Sequence, residues 1–167
     1  MNTYGSFQEA SDSNWELLVK LFQKSKNFKL IKPVRKNSVY DGVLITKKNN
    51  KQIVILIEVK RRQFTQRVLT DEYKNTLFLE KEKYKYLHKQ KEKFEELHQD
   101  AIVKVWYLSK TTDGFCYIHD ITNRDFVWIS AKMNNITYSP KKQKVNKRIA
   151  LLNTSDAILS TNTKIIK

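Results

Sequence analysis

The chain has 167 residues, with 32 Lys and Arg against 17 Asp and Glu, for a formal net charge of +15. Hydrophobic residues make up 40% and aromatics 11%, enough for one ordinary core, which excludes a wholly disordered chain. A single cysteine, Cys116, excludes an internal disulfide framework and any multi-thiolate metal site. No apolar run reaches the ~18 residues of a membrane span, and the polar start does not resemble a signal peptide. The expectation is a protein that is neither secreted nor membrane-bound, with a polyanionic partner.

The composition is rich in Lys, Asn and Ile, with 3 Gly and 2 Pro. AT-rich genomes tend to write such sequences, so part of the charge is solvated drift and its placement is the better guide. The same bias suggests a phage or low-GC bacterial source, hence a bacterial cytoplasm or a virion.

Asp12 and Ser13 are positioned to cap a first helix running to about Ser25. Trp15, Leu18, Val19 and Phe22 form its apolar face. The stretch 20–36 is basic without an acidic residue, and Pro33 excludes a continuous helix through it. Residues 39–46 read as a strand, 47–52 as a polar turn, and 53–60 (IVILIEVK) as a central strand covered on both faces. Together they predict a β-hairpin.

A basic connection, 61–69, leads to a predicted long helix over 71–98, with Asn75 and Thr76 as an alternative later start. Its apolar stripe is Tyr73, Leu77, Tyr84, Leu87, Phe94 and Leu97. Strands are predicted over 101–109, 114–121 and 125–130, with a turn at Thr112, Asp113 and Gly114. Residues 139–148 read as a basic loop and 149–152 as a short strand. The order of elements predicts one domain of mixed α/β (α+β) class over 1–167, with a core of about 13–152 and an uncertain tail at 153–167.

The chemistry concentrates at the end of the apolar strand. Glu58 and Lys60 point to one face and Val59 to the other. Asp41 lies in the preceding apolar segment, so a hairpin can bring the two carboxylates together. Two carboxylates and a backbone carbonyl make a hard oxygen site suited to Mg²⁺ or Mn²⁺. An adjacent lysine can orient water or stabilise a phosphoryl transition state. In the predicted long helix, Glu80 interrupts the apolar stripe and Lys83 follows one turn on. They either face the acidic cluster or form an i,i+3 ion pair on the helix flank.

Asp41-Gly42 followed by Glu58-Val59-Lys60, on a hairpin between a first helix and a long second one, resembles the PD-(D/E)xK nuclease superfamily. The resemblance spans roughly residues 13–128, with Tyr40 where the family has proline. It implies a restriction-endonuclease-like core, a central mixed β-sheet flanked by helices. It also implies Asp41, Glu58 and the Val59 carbonyl as metal ligands and Lys60 as the catalytic lysine. LEKEKYKYL (79–87) is similar to the helix after ExK in phage and bacterial members, which implies Lys83 in the site and Glu80 beside it. Glu16, or Glu9, would supply the carboxylate many members carry on the first helix, although Glu16 also reads as a solvated residue.

The implied activity is metal-dependent hydrolysis of phosphodiester bonds in DNA, by a monomer or homodimer. The alternatives are RNA or branched DNA junctions as substrate, or a non-catalytic nucleic-acid-binding or phage structural protein. Arg35, Lys36, Arg61, Arg62, Arg67, Lys141, Lys142, Lys144, Lys147 and Arg148 are the candidate phosphate contacts. Cys116 reads as a core thiol, and His88, His98 and His119 lack a shared zinc-ligand spacing.

Overall fold

A computed structural model describes residues 7–34, 38–134 and 144–166. The elements in chain order are α1 (Phe7–Phe22), β1 (Lys29–Ile31), β2 (Gly42–Lys48), β3 (Lys51–Arg61), α2 (Gln66–Asp71), β4 (Thr76–Glu80), α3 (Lys81–Leu97), β5 (Ile102–Lys110), β6 (Phe115–Asp120), β7 (Ile129–Asn134), β8 (Lys144–Asn153) and β9 (Leu159–Asn162). Among the described residues no helix is long and apolar enough to cross a membrane.

The strands form a six-stranded sheet ordered β1-β2-β3-β5-β6-β9 and a three-stranded sheet ordered β4-β8-β7. Only β3 and β5 pair in parallel, so the larger sheet is mixed. The expected central mixed sheet flanked by helices is present.

β3 is central because it is apolar on both faces. Ile55, Ile57 and Val59 pack with Leu17, Leu18 and Phe22 of α1. On the other face, Val54 and Leu56 pack with Phe94 of α3. Glu58 and Lys60 share that second face and so lie on the α3 side of the sheet. The predicted hairpin forms around Asn49 and Asn50, whose φ angles of 51° and 61° suit a two-residue turn of the kind that matches strand twist.

Several boundaries differ from expectation. α1 begins at Phe7, not at Asp12 or Ser13. β2 begins at Gly42, and residues 39–41 form a bend, although the Asp41 N–H still donates to the Ile57 carbonyl at 2.7 Å. The predicted helix over 71–98 is a short helix, a turn, a strand and a helix. Lys74 and Asn75 adopt φ angles of 50° and 59°, which end the helical path. Leu77 and Leu79 then alternate with Thr76, Phe78 and Glu80 along β4, which pairs with β8. Strand β7 starts four residues later than the predicted 125–130 strand and ends at Asn134. Residues 144–148, expected in a loop, begin β8. The ambiguous tail contributes β9, hydrogen-bonded to β6.

The two sheets share a core. Leu77, Leu79 and Leu152 of the smaller sheet pack with Val105, Tyr107 and Tyr117 of the larger one and with Leu87 of α3.

Candidate active site

β2 and β3 leave the hairpin together, and their far ends bring Asp41 beside Glu58 and Val59. One Asp41 oxygen (Oδ2) accepts the Val59 N–H at 2.8 Å, and the other accepts from the Asn14 side-chain amide at 3.1 Å. A strand residue points its N–H and C=O to the same edge. The Val59 carbonyl therefore faces the same edge, beyond the last β2–β3 residue pair, Gly42 with Ile57. The backbone is tight here: a Cβ on Gly42 would stand 2.5 Å from Leu18 Cδ1.

Glu58 is buried, and Lys83 Nζ from the first turn of α3 lies 2.8 Å from its Oε1. Burial raises the Asp41 pKa, opposed by the Val59 N–H, Asn14 and Lys83. Burial and then the Asp41 charge push Glu58 up to about 8, opposed by Lys83 and Lys60. Lys60 is lowered, first by burial, with Glu80 opposing. Burial of two neighbouring acids thus disfavours ionising both, despite the two lysines beside them.

The junction of β4 and α3 sets Glu80 and Lys83 over the end of β3. They pair with other elements rather than with each other. Lys83 meets Glu58, while Glu80 meets Lys147 of β8 at 2.9 Å and interacts with Lys60. Glu80 is the N-cap residue of α3 but makes no side-chain capping bond.

Asn14 was not anticipated. It lies one helical turn before Leu18 and so faces the sheet, whereas Glu16 is exposed. Its carbonyl oxygen accepts from Arg61 Nε at 2.9 Å, and Arg61 Nη2 donates to the Ser13 carbonyl at 2.7 Å. Asn14 therefore links Arg61 to Asp41. An asparagine on an otherwise apolar helix face was the available signal.

The candidate phosphate contacts among the described residues differ in their setting. Arg62 requires correction: it is 3% exposed, donates to the Phe78 carbonyl at 2.5 Å and to Ser109 Oγ at 3.1 Å, and stacks 4.2 Å from the Phe78 ring centroid. It joins β3 to β4 and β5, and so joins the two sheets. Arg67 is exposed and pairs with Asp71 one turn on. Arg148 is exposed and donates to the Trp128 carbonyl, Lys144 is exposed, and Lys147 is held by Glu80. Arg35, Lys36, Lys141 and Lys142 lie outside the described residues.

Among the described residues no group of three or more His, Cys, Asp and Glu is placed to hold a metal ion. The chemistry of the donor set nevertheless fits a hard divalent cation. Asp41 and Glu58 offer carboxylate oxygens whose mutual repulsion a cation would relieve, Val59 offers a carbonyl, and water can complete the shell.

No protein-family model matches the chain, and no curated protein matches it. Among solved structures it is similar to Hjc, a Holliday junction resolvase from the archaeal hyperthermophile Archaeoglobus fulgidus. The match has a TM-score of 0.44 and 17% identity, covering 89% of this chain and 94% of that one. A likeness this distant says nothing of activity.

Proposed function

We propose that the protein is a metal-dependent nuclease of the PD-(D/E)xK type that hydrolyses phosphodiester bonds in DNA. The observation that carries this is the convergence of Asp41 and Glu58 at the end of the hairpin, with Lys60 on the Glu58 face and Lys83 on Glu58 itself. A structural ion pair needs one acid and one base. Here a second acid, the half-buried Asp41, lies beside Glu58, and the Glu58 carboxyl group is pushed up to about 8.

Asp41, Glu58 and the Val59 carbonyl are the residues that would hold Mg²⁺ or Mn²⁺. When bound, such an ion stabilises charge on a phosphoryl oxygen and lowers the pKa of a coordinated water. Asn14 fixes the orientation of the Asp41 carboxylate, and Arg61 fixes Asn14. Lys60 sheds a proton more easily than a surface lysine because burial disfavours its charged form. Its Nζ can therefore hold or pass a proton beside the attacking water. Lys83 pairs with Glu58 and, 37% exposed, would be open to a phosphate oxygen of the substrate.

The test incubates purified protein with plasmid, linear, single-stranded and four-way-junction DNA, and with RNA, in Mg²⁺, Mn²⁺ or EDTA. Asp41→Ala and Lys60→Ala are run in parallel. Cutting that needs the cation and both side chains supports the proposal, and the substrate that is cut fastest separates its alternatives. Wild type and variants behaving alike on every substrate would end it.

A further inference from the structure

The three-stranded sheet has an unusual outer face. Its inner face carries Leu77, Leu79 and Leu152, all fully buried. A sheet with one solvated side normally turns polar residues outward. Here residues paired across the strands share a face, and the outward set is largely apolar: Phe78 opposite Leu151, Ile149 opposite Ile129, and Met133 opposite Val145. Leu151 is 54% and Ile129 43% exposed.

This face floors a cleft of about 670 Å³ that runs to Lys60. Lys60 lines it from β3, and Lys132 and Lys144 line it from β7 and β8. The only acid lining it among the described residues is Glu80, already neutralised by Lys147. Phe64 and Tyr73 stack at one end with ring centroids 4.9 Å apart, and Tyr73 is 46% exposed.

We infer that this cleft binds an unpaired nucleic-acid strand and leads it to the site at Asp41, Glu58 and Lys60. This deepens the nuclease proposal and rests on it. Two features decide the occupant. The cationic rim calls for a polyanion, which disfavours an ordinary apolar peptide. The apolar, partly aromatic floor gains little from the phosphate exterior of a duplex but can take the exposed face of an unstacked base. An unpaired strand presents both chemistries at once. The substrate class that follows is a duplex with a single-stranded arm, flap or gap, with the phosphate next to the unpaired bases brought to Lys60.

The experiment measures binding by fluorescence anisotropy in EDTA, so that cleavage plays no part. The full chain is titrated with a blunt DNA duplex and with the same duplex carrying a single-stranded arm. Wild type should prefer the armed duplex by about tenfold. Leu151→Glu, on an exposed position, should abolish that preference and leave blunt-duplex binding within about twofold. Phe78→Leu should reduce the preference while keeping the fold, with melting curves confirming that both variants are folded.

Equal binding of the two ligands by wild type overturns the inference, as does an undiminished preference in Leu151→Glu. If sedimentation instead shows a dimer that Leu151→Glu dissociates, with arm preference unchanged, the face belongs to a second copy of the chain. Metal-dependent, Asp41-dependent cutting without arm preference removes the cleft and keeps the nuclease. Arm preference with no cutting in any cation removes the nuclease and keeps the cleft as a binding site.

Discussion

The two ends of the parallel pair β3 and β5 resolve their charges in opposite ways. At the start of β5 and the end of β6 lies a polar cleft of about 820 Å³. Its charges pair one to one: Lys104 with Asp120 at 3.0 Å, Lys91 with Glu95 at 2.7 Å and Arg124 with Asp156 at 2.6 Å. Burial pushes the Asp120 carboxyl up, but Thr122 and Lys104 outweigh it and hold it below the usual carboxylate range. At the other end, Asp41 and Glu58 crowd together and both are raised. Cleft size does not distinguish function from surface relief here. The proposed function rests instead on the end with unresolved electrostatic conflict, because such conflict has a cost that a purely structural pair would not retain.

The largest expected effect lies at the conflicted end. Asp41→Ala and Lys60→Ala should each lower DNA cleavage by about a thousandfold. Lys104→Ala and Asp120→Asn, at the resolved end, should leave it within about twofold. Comparable losses at both ends in a cleavage time course would erase the distinction.

Next comes the buried cation beneath the conflicted end. Arg62→Ala removes the bonds that join the two sheets and should cost about 3 kcal/mol in urea unfolding. Arg67→Ala, five residues along but on the surface, should stay within about 0.5 kcal/mol.

Replacing acid by amide should then have opposite signs at the two ends. The folded protein holds a proton on Glu58 up to about 8, against an ordinary value of 4.5. Its stability therefore falls as pH rises from 4.5 to about 8, where the unfolded chain has already released that proton. In EDTA at pH 8.5, Glu58→Gln should melt higher than wild type, on the order of 5 °C. Asp120 has a lowered folded pKa, so its contribution is present above the unfolded pKa and is lost in acid. Asp120→Asn should melt lower at neutral pH, by about 2 °C, and converge with wild type in acid. Melting curves of the wild type and both variants across that range decide the signs. Lys104→Ala should also have a small effect on stability, under about 1 kcal/mol, because the pair is partly exposed.

The conflicted end was legible because its parts are local. Asp41, Glu58 and Lys60 lie on one hairpin, where a period of two and a two-residue turn bring ligand-type side chains together. The segment 76–80 was not. Tyr73, Leu77 and Leu87 fit a helical stripe, and Leu77 and Leu79 fit a strand equally well. The partner that selects the strand is β8, far along the chain. Arg62 was misjudged for a related reason: next to Arg61 it reads as surface charge, and only the arrival of Phe78 and Ser109 gives its guanidinium a buried place. Asn14 and Arg61 link α1, β3 and the bend that holds Asp41, which no spacing rule reaches.

The separation of β3 from its parallel partner has a consequence for how the chain reaches this state. The β2–β3 hairpin closes over two asparagines and can form early. Strand β5 follows only after α2, β4 and α3, so one edge of IVILIEV stays unpaired through a slow, non-local step. Such an edge templates association between chains. Lys47, Lys48 and Lys51 bracket its start, and Lys60 and Arg61 its end, where like charges on two nascent chains repel. Part of the positive charge thus protects the unfinished molecule, whatever the folded one goes on to bind.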